Sequence, residues 1–304
     1  MKVNRRDFLQ SASAGIGISL LTRHLTSDDD LENTIKEIRA NLLEMINEER
    51  AVAKVPLVQL DELATEVATK HGVDMAVGEY ASHWGRDGLK PYQRYSFAGG
   101  TEANEENISA ADNTWSLKIK DLRQDTAYLH LRLYQEKPPN DGHRKTILAP
   151  QHTHVGIGLA VQNLRLRLVE LFVGKYVEVR PVRRQSKPGA QFYFSGKMLR
   201  KGYELHHVEV FYEPTPAPPE ISWLRQPRTY SLPKESQILR PKVAPPFIYG
   251  DGNAGQVDIA INGSFRAPVR LYKAKPGIYT VVAYLKDERT EKVFAGTEVC
   301  VEAV

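Results

Sequence analysis

The sequence predicts an α+β first half followed by an all-β second half. Three patterns carry this expectation. Apolar residues recur at helical spacing between residues 31 and 78. Near residue 155, large and small apolar residues alternate, and the chain then returns as a second strand. Beyond residue 190, short β-type runs are separated by Pro, Gly, Asn and Asp, which fits a two-sheet sandwich of immunoglobulin-like architecture.

The elements follow in order. Arg5-Arg6, one variable residue and Phe8-Leu9 precede a weakly apolar stretch from Ser11 to Leu21. Residues 1–26 are therefore similar to a twin-arginine export signal, either removed or kept as a weak membrane anchor. Ser27 and the run Asp28-Asp29-Asp30 read as a helix start, where short polar side chains accept from free N–H groups. Leu31, Ile35, Ile38, Leu42, Met45 and Ile46 then mark one face of a helix that Pro56 follows. Asp61 opens a second helix with Leu63, Ala64, Val67, Ala68, His71 and Met75 on one side. Tyr80 to Ala111 has no period and reads as a long loop, a class that tends to carry function.

Helical character returns between Asp112 and Glu136, with Tyr128, Leu129 and Leu133 as expected core, and Pro138-Pro139 ends it. Val155, Ile157, Leu159 and Val161 form a strand whose other face is Gly156, Gly158 and Ala160. Gln162-Asn163 is a turn, and Leu164 to Tyr176 returns. Residues 31–178 are thus expected to form one α+β domain. Residues 179–190, with Arg180, Arg183, Arg184 and Lys187, read as a solvated basic linker. Residues 191–304 are expected to hold about seven strands, with TPAPPE and RPKVAPP as rigid connections inside the sandwich.

Composition excludes several classes. The 304 residues are 41% hydrophobic and 26% charged, an ordinary globular balance and not the composition of a disordered acidic or basic tail. A net charge of +4 is too weak to point to nucleic acid. No apolar run reaches the roughly 20 residues of a full membrane span. The single cysteine, Cys300, permits no internal disulfide and reads as a buried, inert thiol in a strand.

Chemistry-bearing groups gather in three neighbourhoods: SHWGRDG with His83 and Asp87-Gly88, EENIS with Glu105 and Glu106, and EKPPNDGHRKTIL with Glu136, Asp141, His143 and Arg144. Neutral imidazoles ligate divalent transition metals, and nearby carboxylates orient them or take protons from bound water. The spacing alone is unspecific: HExxH, CxxC, a glycine-rich phosphate loop and a nucleophile elbow are all absent. His71, on an apolar helix face, reads as a core histidine, and Asp87-Gly88 as a turn. His152 and His154 are two apart and are expected to share a strand face in a structural role. Trp84 and Tyr92 suit either a groove wall or the core.

The runs INEERAVAKVPLVQLDELATEVATKHGVDMAVGEYASHWGRDG, EENIS and DGHRKTILAPQHTHVGIGLA, in that order, resemble the bacterial branch of the CAP superfamily, also called the SCP domain. The resemblance covers about residues 40–178. It implies an α-β-α sandwich with a cleft holding two His and two acidic residues, which in some members bind a divalent cation such as zinc. Carried over by motif, His83 and His143 are the implied metal ligands, and Glu106 is the Glu of the Glu-Asn-Ile motif. Glu136 is the nearest candidate for the second acidic residue. The chain lacks the disulfides of the animal and plant branches.

The expected protein is exported to the periplasm, envelope or exterior, and binds a cation and an envelope ligand: a lipid, a glycan or a peptide. Two other readings stay open. One is a metal-dependent hydrolase with His83 and His143 as ligands and Glu106 as base. The other is a structural or adhesive envelope protein with a vestigial cleft.

Overall fold

The computed structural model describes residues 28–112, 119–162 and 164–304; the expected export signal, residues 1–26, lies outside them. In the first half, Asp28–Val52 is α1, Gln59–Leu60 β1, Glu62–Gly78 α2, Pro91–Phe97 α3 and Asn104–Ala111 β2. Ile119–Tyr134 is α4, Gly142–Leu148 α5, His154–Gln162 β3 and Arg165–Val173 β4. The strands form one sheet in the order β1-β3-β4-β2, antiparallel except for the short β1–β3 pair.

The strand alternation sorts the core into two layers. Val155, Ile157 and Leu159 of β3, with Leu166, Leu168 and Phe172 of β4, pack on Ile38, Leu42 and Ile46 of α1 and Leu129 and Leu133 of α4. The opposite face of β4, through Val169, Leu171 and Val173, meets Ala64, Val67, Ala68 and Met75 of α2. This is a three-layer α-β-α sandwich. Asp61 caps α2, its Oδ1 accepting the Ala64 N–H at 2.7 Å. The small-residue face of β3 has a direct cause. A Cβ on Gly156 would lie 2.1 Å from the Ala64 carbonyl carbon, and one on Gly158 2.2 Å from that of Ala68. Helix α2 rests on the bare strand backbone there.

Two expectations for this half are corrected. Tyr128 is 62% exposed, so the core face of α4 is carried by Leu129 and Leu133 without it. The stretch from Tyr80 to Ala111 is not one loop, since it contains α3 and β2. Strand β2 pairs with β4 along its whole length, but it buries Asn104, Glu106 and Asn107 where apolar residues normally mark a strand.

In the second half, β5 is Val177–Val179, β6 Gln185–Ser186, β7 Gln191–Met198, β8 Tyr203–Glu213, α6 Ile221–Leu224 and β9 Ser236–Leu239. Then come β10 Asp258–Ile259, β11 Ser264–Arg270, β12 Gly277–Asp287, β13 Val293–Ala295 and β14 Val299–Ala303. Two sheets, β10-β11-β7-β5 and β6-β14-β12-β8-β9 with β13 beside β12, enclose a core that includes Phe194, Val208, Val210, Phe265, Val269, Tyr279, Val281 and Val301. Residues 191–304 thus hold eight strands, where about seven were expected.

Residues 179–190 do not behave as a free linker. Strand β5 pairs with β7, and β6 pairs with β14. Arg184 donates to Ser96 Oγ at 3.0 Å and to Gly100 O at 2.8 Å, tying this segment to the first half. Cys300 is fully buried beside Tyr92 and Ile278, and burial raises its thiol to about 12, so it is an inert part of the seam between the halves.

Candidate functional site

The edge strand β2 organises the site. Neighbouring residues of a strand face opposite sides, so Glu106 and Asn107 reach into different layers. Glu106 is buried on the α2 side, where its Oε1 lies 3.0 Å from His83 Nδ1. Its Oε2 accepts from Arg94 Nη2 of α3 at 2.7 Å. Arg94 also donates through Nη1 to the backbone oxygens of His83, at 2.7 Å, and Leu89, at 2.8 Å. One guanidinium therefore positions both the carboxylate and the loop that bears His83. Burial would push the Glu106 carboxyl up, but Arg94 leads a set of charges and hydrogen bonds that hold it down to about 2.

Asn107, on the other side, donates to His143 O at 3.1 Å. His143 stands in the first turn of α5, and Glu136 chelates it: Glu136 Oε1 lies 2.6 Å from Nδ1 and Oε2 accepts the His143 N–H at 3.0 Å. Both imidazoles thus use Nδ1 on a carboxylate. Among the described residues, no protein hydrogen bond engages Nε2 of either ring. Both rings line one open cleft of about 730 Å³, and His143 is the more exposed, at 33% against 12%.

Sequence reasoning offered Trp84 as a groove wall or core residue and missed the rest of this wall. Trp84, Trp223, Pro227, Arg228 and Thr229 line the same cleft, and four of these five come from beyond residue 190. The segment 213–232 leaves the sandwich and straps the first half, so the TPAPPE run is not a connection internal to the sandwich. Glu213 anchors it by accepting from Lys90, from Tyr92 Oη at 2.5 Å and from Gln93 at 3.1 Å. Gly88, at φ +79, turns directly beneath it, and a Cβ there would lie 2.6 Å from Ala217 O.

Helix α6 then inserts the fully buried Leu224 into the α2 layer. Trp223 meets Trp84 edge-on at 5.3 Å, and the Arg228 guanidinium lies 4.2 Å over the Trp223 ring. Tyr230 packs 4.8 Å from the His83 ring, and its hydroxyl accepts the Glu106 N–H at 2.8 Å. Only the rarity of Trp hinted at this segment in the sequence; the chain has three.

The other histidines lie elsewhere. His71 is buried, with Nε2 2.8 Å from Ser82 O, and burial lowers its pKa, which keeps it neutral. It stands 3.8 Å behind Glu106 Oε1 and is absent from the cleft wall. His152 is also buried, stacked on Phe172, with Nδ1 3.0 Å from Thr146 O. His152 precedes β3, which begins at His154, so the strand alternation expected to align the two does not apply. Tyr92 is core, whereas Trp84 is cleft wall. Among the described residues, no three His, Cys, Asp or Glu side chains gather closely enough to hold a metal ion by themselves. No helix of the described residues is long and apolar enough to cross a membrane.

Residues 43–176 match the family model of CAP, described as the cysteine-rich secretory protein family, which supports the CAP superfamily for this segment. Two solved structures are similar over just under half of this chain. An outer surface protein from Borrelia burgdorferi is 17% identical, over 46% of this chain and 93% of that one, with a TM-score of 0.36. An extracellular protein containing a SCP domain from Bacillus anthracis str. Ames is 23% identical, over 45% of this chain and 40% of that one, with a TM-score of 0.33. No curated protein matches.

Proposed function

We propose that this is an exported bacterial CAP-domain protein whose cleft binds a divalent cation, zinc by its ligand chemistry, together with an extracellular or envelope ligand. The observation that carries the reading is the matched pair of histidines. Each gives Nδ1 to a carboxylate and lines the common cleft with Nε2 unengaged. A carboxylate on Nδ1 fixes the tautomer and makes the other nitrogen a better donor, which is how metal-ligating histidines are held. Glu106 and Glu136 are then positioning residues. Two protein nitrogens leave coordination places for water or for donor atoms of the ligand.

Zinc, when bound, would supply Lewis acidity to a ligand oxygen. Trp84 and Trp223 offer flat apolar faces, and Arg228 a positive charge, which suits a lipid, glycan or peptide carrying an anionic group. Export rests on the Arg5-Arg6 leader pattern and the family's secretory description.

The hydrolase reading needs Glu106 to accept a proton from bound water. Both its oxygens are engaged and its carboxyl is held near 2, so it makes a poor base at neutral pH. Binding without turnover is the better reading.

Calorimetric zinc titration tests it. The His83→Ala/His143→Ala variant should lose one equivalent of zinc, and Glu136→Gln should bind that equivalent about 10-fold more weakly. Zinc uptake unchanged in the double variant would remove the site and leave the vestigial, adhesive reading. Zinc-dependent cleavage of a peptide or ester panel that Glu106→Gln abolishes would instead restore the hydrolase.

A further inference from the structure

A second pair of histidines lies outside the cleft lining, on the β8 strand of the sandwich. Strand β8 pairs with β12, and its register shifts there: His207 faces Tyr284, but Leu205 faces Leu285. His206 is the extra residue of a β-bulge. In a regular strand, adjacent side chains point to opposite faces, and a bulge breaks that rule. The two imidazoles accordingly meet. Their Nδ1 atoms are 2.6 Å apart and their ring centroids 4.8 Å apart.

The surroundings fix this pair. The His207 ring stacks on Tyr284, at 4.6 Å and an interplanar angle of 6°. Its Nε2 lies 2.9 Å from Glu209 Oε1, and Glu209 in turn accepts from Ser236 Oγ at 2.8 Å through Oε2. A carboxylate can only accept, so Nε2 of His207 carries the ring proton and its Nδ1 presents a lone pair. The hydrogen shared in the Nδ1–Nδ1 contact therefore belongs to His206. That side chain is exposed, so its proton can move to Nε2 and face water.

We propose that His206 and His207 chelate a divalent transition cation, copper or zinc, through their two Nδ1 atoms, with Glu209 holding His207 from behind. Moving the one proton of His206 from Nδ1 to Nε2 leaves a lone pair on each Nδ1, facing one another; turning the exposed His206 ring aims both at a cation beside the Nδ1–Nδ1 axis, and no net proton is released. Two ligand nitrogens at about 2.0–2.1 Å from a metal sit roughly 3 Å apart, so the pair opens by only a few tenths of an ångström. Water completes the shell, since no third His, Cys, Asp or Glu among the described residues joins them. Imidazole pairs of this kind favour copper over zinc. The site is independent of the cleft, and its failure would not touch that reading.

The test is titration of the full chain with Cu²⁺ and, separately, Zn²⁺, read by calorimetry and by the copper EPR spectrum. His206→Ala and His207→Ala should each weaken one equivalent of copper at least 10-fold and, placed in the His83→Ala/His143→Ala background, remove the remaining two-nitrogen EPR pattern. Glu209→Gln should weaken it about 10-fold. His83→Ala/His143→Ala should retain this equivalent unchanged. His206 is exposed, so His206→Ala should keep the wild-type circular dichroism and melting temperature. A copper isotherm and EPR spectrum unchanged in well-folded His206→Ala would overturn the proposal. So would copper uptake that vanishes entirely in His83→Ala/His143→Ala.

Discussion

Arg50→Met is expected to unfold the first half, or to cost it about 4 kcal/mol or more, measured by urea denaturation followed by circular dichroism. Arg50 lies at the end of α1 and is 0% exposed. Its guanidinium donates to four backbone oxygens: Pro56, Ile147, Ala149 and His152. These belong to the turn after α1 and to the passage from α5 to β3, so one side chain closes a gap of about 100 residues along the chain. Removing it strands several buried carbonyls at once, each costing on the order of 1–3 kcal/mol when left unpaired. Arg50→Lys should recover part of the loss, since an ammonium cannot span the same fork. A loss below about 1 kcal/mol for Arg50→Met would mean that water satisfies these carbonyls as well as the side chain does.

The second large effect depends on pH. His130 of α4 is buried between two carboxylates, with Nδ1 2.6 Å from Glu170 Oε1 and Nε2 3.1 Å from Glu49 Oε2. Burial opposes its charge, but Glu170 and then Glu49 outweigh it and raise the imidazole to about 10. The folded pKa stands above the ordinary 6.5, so the folded state binds the extra proton. The stabilisation is complete below pH 6.5 and is lost as pH rises toward 10, at about 1.4 kcal/mol per pH unit. His130→Gln should therefore be destabilised by roughly 3–5 kcal/mol near pH 6.5, and should approach wild type near pH 10. Denaturation at four pH values checks this. A wild-type-minus-variant difference that is flat across the range would show that His130 is neutral in the fold.

Much of the first half was legible because its signals are local. The helical period gave α1, the Asp61 cap gave α2, and the Gly156-Gly158 face identified the strand that α2 covers. The motif resemblance pointed to His83, His143, Glu106 and Glu136, which the fold brings together as two imidazole–carboxylate pairs. Strand β2 stayed hidden because its buried face is polar: Asn104 and Glu106 are inside because Glu298 and Arg94 meet them there. The strap stayed hidden for another reason. Trp223, Arg228 and Tyr230 reach the cleft through contacts more than 100 residues distant in sequence, and no periodicity encodes such contacts. The bulge at His206 depends on the pairing register of two strands, which is a property of the assembled sheet.

The cleft reading stands on the protonation of two rings, which ¹⁵N-edited long-range NMR of the metal-free protein reads directly. The account predicts that His83 and His143 both carry their proton on Nδ1, and that adding Zn²⁺ moves both Nε2 resonances together. A proton on Nε2 of either ring, or zinc that shifts neither or only one of them, would contradict it.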